Sequence, residues 1–339
     1  MKVKRFILLV VVSLVLGSLV TSACTSSTAS PAGDTPPVTE ATEAPPAGSD
    51  LATLRIAVLP ILDALPMYVA QQEGLFEKNG IKVEFIPVAS AAERDQVFAS
   101  GQVDGMINDS ISTLFYNQEQ PQIQIVRMAR TATSEMPQYQ VLASPKSGFT
   151  SVQDLKGVEI GISQGTVIEY VTERLLEAEG FTPEEIKSIA VPKIADRMTL
   201  LESGELKAAT LPDPLSSLAS QQGAILMVDD TRHPEYGYSV YSFSKKLIDQ
   251  NPEAVRSFLA VIEAATEQIN AEPAKWDNLL TEKQLVPAPL VGKYTIPVYP
   301  SASVPTQAQW DDVLAWAKAK GLVKNDVSYQ ESVNPGLLP

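Results

Sequence analysis

The sequence predicts an α/β protein built as two related lobes, each a mixed, mainly parallel sheet flanked by helices. Three observations carry this prediction. From Leu54 onward, apolar strand-like runs alternate with helical stretches, the pattern of a mainly parallel sheet covered on both faces. The chain is also written twice: "AERDQVFASGQVDGMINDS" (Ala92 to Ser110) lies without a gap over "ADRMTLLESGELKAATLPD" (Ala195 to Asp213). In that overlay Ala92, Arg94, Ser100 and Gly101 fall on Ala195, Arg197, Ser203 and Gly204, and upstream Tyr68-Val69 falls on Tyr170-Val171. Lastly, about 290 residues remain after the N-terminal segments, enough for two lobes with sizeable cores.

The N-terminal segments come first in the chain. Lys2, Lys4 and Arg5 precede the fifteen-residue run "FILLVVVSLVLGSLV", and the small residues Ser22 and Ala23 lead to Cys24, the one cysteine of 339 residues. A basic start, a short apolar core and small residues have the layout of an export signal, and the run is shorter than the roughly 20 residues a spanning helix needs. A lone thiol closes no intrachain disulfide, and without neighbouring ligands it makes a poor metal site. The arrangement resembles a bacterial lipoprotein signal, in which the cysteine is acylated and becomes the new N-terminus; Thr21 stands where that pattern prefers Leu or Val. Downstream, "TSSTASPAGDTPPVTEATEAPPAGSD" is dense in Ser, Thr, Pro, Ala and Gly and cannot bury a core, so it reads as a flexible stalk. The expected order is a signal over 1–23, a lipidated stalk over 24–52, and a body outside the cytoplasmic membrane.

Within the body, "LRIAVLP" reads as a buried strand, "MYVAQQEGLFEKNG" as a helix ending at Gly80, and "IKVEFIPV" as a strand. Met67, Ala70, Gln71, Gly74 and Leu75 share one helical face. Helix "ERDQVFAS", strand "VDGMIND", helix "SISTLFYNQEQ" and strand "IQIVRMAR" follow, and "SVQDLKGVEIGISQGTVIEYVTERLLEAEG" starts the second lobe. After the strand "YSVYSFSKKLI", Asn251 caps a helix with Pro252 in its first turn. That helix, running to about Ala271, and "TQAQWDDVLAWAKAKGL" are expected to return over the first lobe. The chain would then cross between lobes near Tyr139 to Pro145 and near Gly237 to Ser244, giving lobe 1 as 53–141 and 242–339 and lobe 2 as 142–241. A hinge of two crossings permits closure around a ligand.

Charge narrows the partners. Removing residues 1–23 takes away three basic and no acidic residues, moving the formal charge from −14 to −17, which argues against nucleic acid.

The stretches "PMYVAQQEGLFEKNGIKVEF", "SGQVDGMIND", "DLKGVEIGISQGTVIEY" and "KKLIDQNPEAVRSFL" resemble the periplasmic-binding-protein family that includes carriers of thiamine pyrimidine precursors, riboflavin, taurine, alkanesulfonates and nitrate. The resemblance runs from Leu54 to about Lys320. It implies a type II two-lobed binding fold, capture of a small-molecule solute for an ABC permease and its ATPase, no cofactor, and a monomeric body. A sensor that docks on a membrane receptor is the alternative use of the same closure.

In open α/β sheets ligands sit beyond the carboxyl ends of strands. Four loops qualify: "PILDA" with Asp63, "NDS" with Asn108, Asp109 and Ser110, "SQGT" with Ser163, Gln164, Gly165 and Thr166, and "PDP" with Asp213. Thr166 either caps its helix or opens a helix start whose free amides accept an anionic or carbonyl oxygen. Asn108 and Ser110 are ligand contacts or a loop and a cap. By the resemblance, Asp213 faces the ring nitrogens of a pyrimidine; a carboxylate there favours a neutral or cationic heterocycle over an anion. The expected solute is thus an aromatic vitamin or precursor, an aminopyrimidine or riboflavin, with Asp63 and Asp109 pointing the same way. Tyr68, Tyr170 and Tyr238 are candidates to stack on its ring. The alternative is a small anion such as an alkanesulfonate, taurine or nitrate, for which Arg94, Arg127 and Arg197 are the best cations. The matching positions of Arg94 and Arg197 favour a structural salt bridge for both.

The fold also resembles fungal thiamine-pyrimidine synthases, whose chemistry uses an active-site histidine and a cysteine-rich segment with iron. This chain has His233 alone, in "TRHPEYGY", and its cysteine lies in the tether. It also lacks nucleophile-elbow, zinc-protease and phosphate-loop motifs. No enzyme activity is expected.

Overall fold

The computed structural model describes residues 51–339; the signal, Cys24 and nearly all of the stalk expected above lie outside the described residues. Among the described residues, no helix is long and apolar enough to cross a membrane.

Ten strands form two five-stranded sheets. They are β1 (Ala52–Val58), β2 (Ile81–Pro87), β3 (Gly105–Asn108), β4 (Ile123–Thr131), β5 (Tyr139–Ala143), β6 (Glu159–Ile162), β7 (Lys187–Ala190), β8 (Ala208–Pro212), β9 (Ile225–Asp229) and β10 (Tyr238–Ser244). The first sheet has the order β2-β1-β3-β10-β4 and the second β7-β6-β8-β5-β9. In each, the fourth strand runs against its neighbours: β10 is antiparallel to β3 and β4, and β5 to β8 and β9. These two are the strands the chain forms first on entering each sheet from the other.

The helices between them are α1 (Leu65–Gln72), α2 (Leu75–Lys78), α3 (Ala91–Ala99), α4 (Ser110–Asn117), α5 (Val167–Ala178), α6 (Ile194–Ser203), α7 (Leu215–Gln221), α8 (Lys245–Gln250), α9 (Pro252–Ala271), α10 (Asp277–Glu282), α11 (Gln307–Ala319) and α12 (Tyr329–Ser332). Their starts follow capping chemistry. Ser90, Asp109, Thr166, Asn251 and Thr306 each accept an amide hydrogen bond from the first turn they precede. The internal repeat survives as structure: α3 and β3 match α6 and β8, and Gly101 and Gly204 both end their helices with positive φ, +71° and +82°.

Helix α9 closes the first lobe, as its apolar face predicts. Phe258 stacks on Phe76 with centroids 5.8 Å apart and meets the edges of Tyr241 and Phe243. Trp310 of α11 is fully buried with Ile111, Leu114 and Val240, so the C-terminal helix covers the same lobe.

The crossings lie upstream of the expected positions. "YQVLA" and "YSVYSF" are strands paired from their first residues, Tyr139 opposite Pro212 and Tyr238 opposite Thr131. The chain therefore changes sheets between Thr131 and Tyr139, and again between Asp229 and Tyr238, in the polar, proline-bearing stretches "ATSEMPQ" and "DTRHPEYG". Burial explains the difference, because apolar alternating runs pay for their backbone only inside a sheet. Asp230 joins the two crossings by accepting the amides of Gln138 (2.9 Å) and Tyr139 (3.1 Å). A side chain at Gly237 would collide with Asp230 and Tyr139, which makes glycine necessary there.

Candidate functional site

A cavity of about 540 Å³, counting its open mouth, lies between the lobes at the carboxyl ends of β1, β3, β6 and β8. The first lobe lines it with Leu59, Ile61, Ala91, Arg94, Asn108, Asp109 and Ser239. Across from these, the second lobe contributes Tyr139, Ser163, Thr166, Ile168, Ile194, Arg197 and Pro212. Its walls are largely apolar, so any polar group facing it weighs heavily.

On the first wall, Arg94 is buried and fully engaged. Its Nε donates to Asp95 at 2.8 Å, and Nη1 and Nη2 donate to Asp109 Oδ2 at 3.4 Å. Burial works against its charge, and the two carboxylates outweigh burial, so its pKa is raised. Burial likewise pushes the Asp109 carboxyl up while Arg94 pulls it down. Asp109 Oδ1 caps α4 through the Ser112 amide at 2.9 Å, and Asn108 accepts from Ser242 (2.6 Å) and donates to Thr113 (3.2 Å). This wall is satisfied from within.

The second wall is not. Arg197 has no exposed surface; its Nη1 donates to the Val191 carbonyl at 2.9 Å, while Nε and Nη2 find no acceptor among the described residues. Among the described residues no carboxylate forms a salt bridge with it. Burial, opposed only by Tyr139, lowers its pKa to about 10, so it is charged at neutral pH. Gly161 of β6 lies beside it: a Cβ there would reach ordinary contact with the Arg197 Cγ at 3.4 Å and would collide with Leu206 at 2.5 Å. A buried cation with two unused donors leaves a desolvation cost unmet, and an oxyanion in the cavity would meet it. The salt bridge expected for both arginines therefore exists at Arg94 and is missing at Arg197. Arg127 stands apart from the cavity, bound to Glu263 (2.5 Å) and to the carbonyls of Met128 and Pro300.

The "SQGT" loop lies where the sequence places it, with part of its capacity already used. Thr166 lines the cavity and also caps α5, accepting from the Ile168 amide at 3.2 Å and donating to the Ser163 carbonyl at 2.7 Å. The Gly165 amide, at φ +69°, donates to Glu169 Oε2 at 2.7 Å. Gln164 is exposed.

Asp213 and Asp63 turn away from the expected role. Asp213 Oδ1 accepts from Ser217 at 2.5 Å, and Oδ2 accepts from Tyr294 and from Arg130 at 3.3 Å. Asp63 accepts from Ser239 and from Gln138 (3.2 Å), with Arg130 3.9 Å away. Both carboxylates are buried around one guanidinium; Asp213 spends both oxygens on protein donors, whereas Asp63 spends Oδ1 on Ser239 and Gln138 and leaves Oδ2 with Arg130 alone, 3.9 Å away. Ser110 and Tyr238 bond each other at 2.9 Å in the core. Tyr68 packs edge-on to Phe85 outside the cavity, and Tyr170 is buried with its hydroxyl on Asp312. His233 stacks on Tyr236 in an exposed loop beside Glu235, away from the cavity. Among the described residues, no group of three or more His, Cys, Asp or Glu could hold a metal ion.

Two polar contributors were not among the residues expected at the site: Tyr139, placed at the cavity by the upstream crossing, and Ser239, brought in by β10; the apolar lining was not foreseen either. The isolation of Arg197 had a visible signal. In the overlay of the halves, the partners of Arg94, Asp95 and Asp109, fall on Met198 and Pro212, which cannot pair with a guanidinium.

Comparison with known proteins follows from this geometry. The sequence model of the family described as NMT1/THI5 like matches residues 62–276. A Haemophilus influenzae protein named for thiamine biosynthesis is 24% identical over 225 residues, covering 65% of this chain and 70% of that protein. A Saccharomyces cerevisiae 4-amino-5-hydroxymethyl-2-methylpyrimidine phosphate synthase is 23% identical over 233 residues, 65% of this chain and 67% of its own. Among solved structures, the alkanesulfonate-binding protein SsuA from Xanthomonas axonopodis pv. citri, bound to MOPS, superposes with a TM-score of 0.70 at 20% identity, over 85% of this chain and 99% of that one. At this identity the likeness establishes the two-lobed fold.

Proposed function

Since the chain belongs to the NMT1/THI5-like family, we propose that it is the solute-binding component of an ABC importer, tethered by lipid on Cys24 to the outer side of the cytoplasmic membrane. Solute contacts to both lobes favour the closed form, and the permease recognises that form. Only contacts made in the closed state can drive such a shift. The similarity to a solved sulfonate-binding protein supports this use of the fold.

The solute is a small anion. One observation carries this reading: Arg197, which lines the cavity between the lobes, is buried without a carboxylate partner among the described residues and keeps two donors unpaired. The acceptors of Asp213, both spent on protein donors, weaken the main support for a vitamin ring. An aminopyrimidine stays as the second reading because Asn108 and Asp109 line the same cavity and one relative is named for thiamine biosynthesis. Thermal shift and calorimetry with nitrate, methanesulfonate, longer alkanesulfonates, taurine, hydroxymethylpyrimidine and riboflavin separate the two. Ligand at 100 times its Kd adds about 2.7 kcal/mol of stability, a readily measured shift. Binding confined to the anions, and lost in Arg197→Met, is the expected result. Binding of the pyrimidine or riboflavin that survives Arg197→Met would reject it.

A further inference from the structure

The start of α5 is one place in the cavity wall where an anion would ordinarily be welcomed, because the first amides of a helix have no partners inside it. Here the chain supplies its own anion. Glu169, in the first turn and 5% exposed, takes the Gly165 amide on Oε2 at 2.7 Å. Its other oxygen pairs with Lys320 Nζ at 2.9 Å, and that ammonium is shared with Glu173 at 2.7 Å. Lys320 ends α11, so the pair also ties the second lobe's loop to the first lobe's last long helix.

A count of charges around the cavity then gives an uneven result. Arg94 faces two carboxylates, Asp95 and Asp109. Lys320 also faces two, Glu169 and Glu173. Among the described residues Arg197 meets no carboxylate; it lines the cavity together with Ser163 and Thr166 and keeps two donors unpaired. The site therefore has one cation to offer and a carboxylate already placed behind the loop.

Resting on the anion reading above, we propose that Glu169 is a specificity-determining residue: by filling the α5 start with a fixed negative charge it limits the cavity to singly charged anions and rejects doubly charged ones. A monoanion such as a sulfonate, carboxylate or nitrate spends its charge on Arg197. The second charge of sulfate or of phosphate above neutral pH finds no unpaired cation among the lining residues, and Glu169 adds negative charge from behind the α5 start. Selection by a built-in repulsion is a common route to specificity, since a like charge left without a partner is costly.

The test is calorimetry on the purified protein at constant ionic strength and pH 8, with methanesulfonate and nitrate as monoanions and sulfate and phosphate as dianions. The protein is expected to prefer the monoanions by about ten-fold or more, and Glu169→Gln, which keeps an acceptor for the Gly165 amide, is expected to shrink that preference by about ten-fold. Lys320→Met, which leaves Glu169 unneutralised, is expected to widen it. Monoanion binding with a preference unchanged by either variant would overturn the proposal, as would sulfate bound as tightly as methanesulfonate by the unaltered protein. Should Glu169→Gln fail to fold by circular dichroism, the direction of the Lys320→Met change decides alone. Failure of every anion to bind the unaltered protein would instead remove the anion reading on which the proposal rests.

Discussion

Arg94 and Arg197 occupy the same position in two lobes of the same design, on α3 and α6, and both are buried against one cavity. Their surroundings differ. Arg94 is clamped by Asp95 and Asp109, whereas the positions that correspond hold Met198 and Pro212, and Arg197 is left with a single carbonyl partner. Two lobes of one design thus present one wall whose cation is paired with carboxylates and one whose cation is not. The difference lies in the neighbours of the arginines, since the arginines are the same. On the anion reading, such asymmetry would give the site a direction: an anionic group would be held from the second lobe, opposite Asn108, Ser239 and apolar side chains of the first.

The largest expected effect tests the cationic wall. Arg197→Met keeps the stem that packs at Gly161 and removes the charge; anion affinity should fall at least about 100-fold, in line with the 2–5 kcal/mol lost when one partner of a buried charge pair is truncated. Thermal stability without ligand should hold or rise, because an unpaired buried guanidinium costs free energy. Affinity unchanged in calorimetry would place the anion elsewhere and break the comparison. The mirror experiment, Arg94→Met, should act on stability instead. It leaves the buried Asp109 carboxylate without its cation, and denaturant unfolding should show a loss of about 3 kcal/mol.

How far could this have been read from the sequence? Much of the architecture was legible because periodicity and punctuation are local: β1, β2 and the repeated α3-β3 and α6-β8 units stand where apolar alternation and the glycines after the helices put them, whereas the single helix expected to run to Gly80 is two, α1 and α2, broken at Gly74 with φ +63°. The crossings were displaced because "YQVLA" and "YSVYSF" carry no local mark of which sheet they join; pairing with β8 and β4 decides that. The partners of Asp213 were hidden for a related reason. Its donors Arg130 and Tyr294 come from β4 and from the segment before α11, and no spacing rule connects such distant residues. The isolation of Arg197 needed no coordinates, only a comparison of what stands beside each arginine in the overlay.

An intermediate effect would convert one wall into the other. Met198→Asp gives Arg197 the neighbour that Asp95 is to Arg94. Anion affinity should fall by about ten-fold as the new carboxylate competes for the guanidinium, with Arg94 untouched. Affinity that survives would mean that the carboxylate neighbour alone does not set the difference between the walls, and Pro212 would then be the position to convert.

The smallest effect separates the cavity from the hinge. Burial holds the Asp230 carboxyl at about 7, with the Gln138 and Tyr139 amides pulling it the other way. In the unfolded chain an aspartate titrates near pH 3.9, so between roughly 4 and 7 the folded state keeps a proton that the unfolded state has lost. This contribution to stability is complete below about pH 4 and disappears as pH rises through 7. Measured against Asp230→Asn, the stability of the unaltered protein should therefore decline from pH 5 to 8, by at most about 1.4 kcal/mol per pH unit. Anion affinity should stay flat over that range, because Arg197, at about 10, and Arg94, raised above its usual value, both keep their charge. Parallel titrations of unfolding free energy and of methanesulfonate affinity make the check. If affinity declined together with stability, the proton at the crossing would control the cavity, and the contrast between the two arginines would no longer account for anion binding alone.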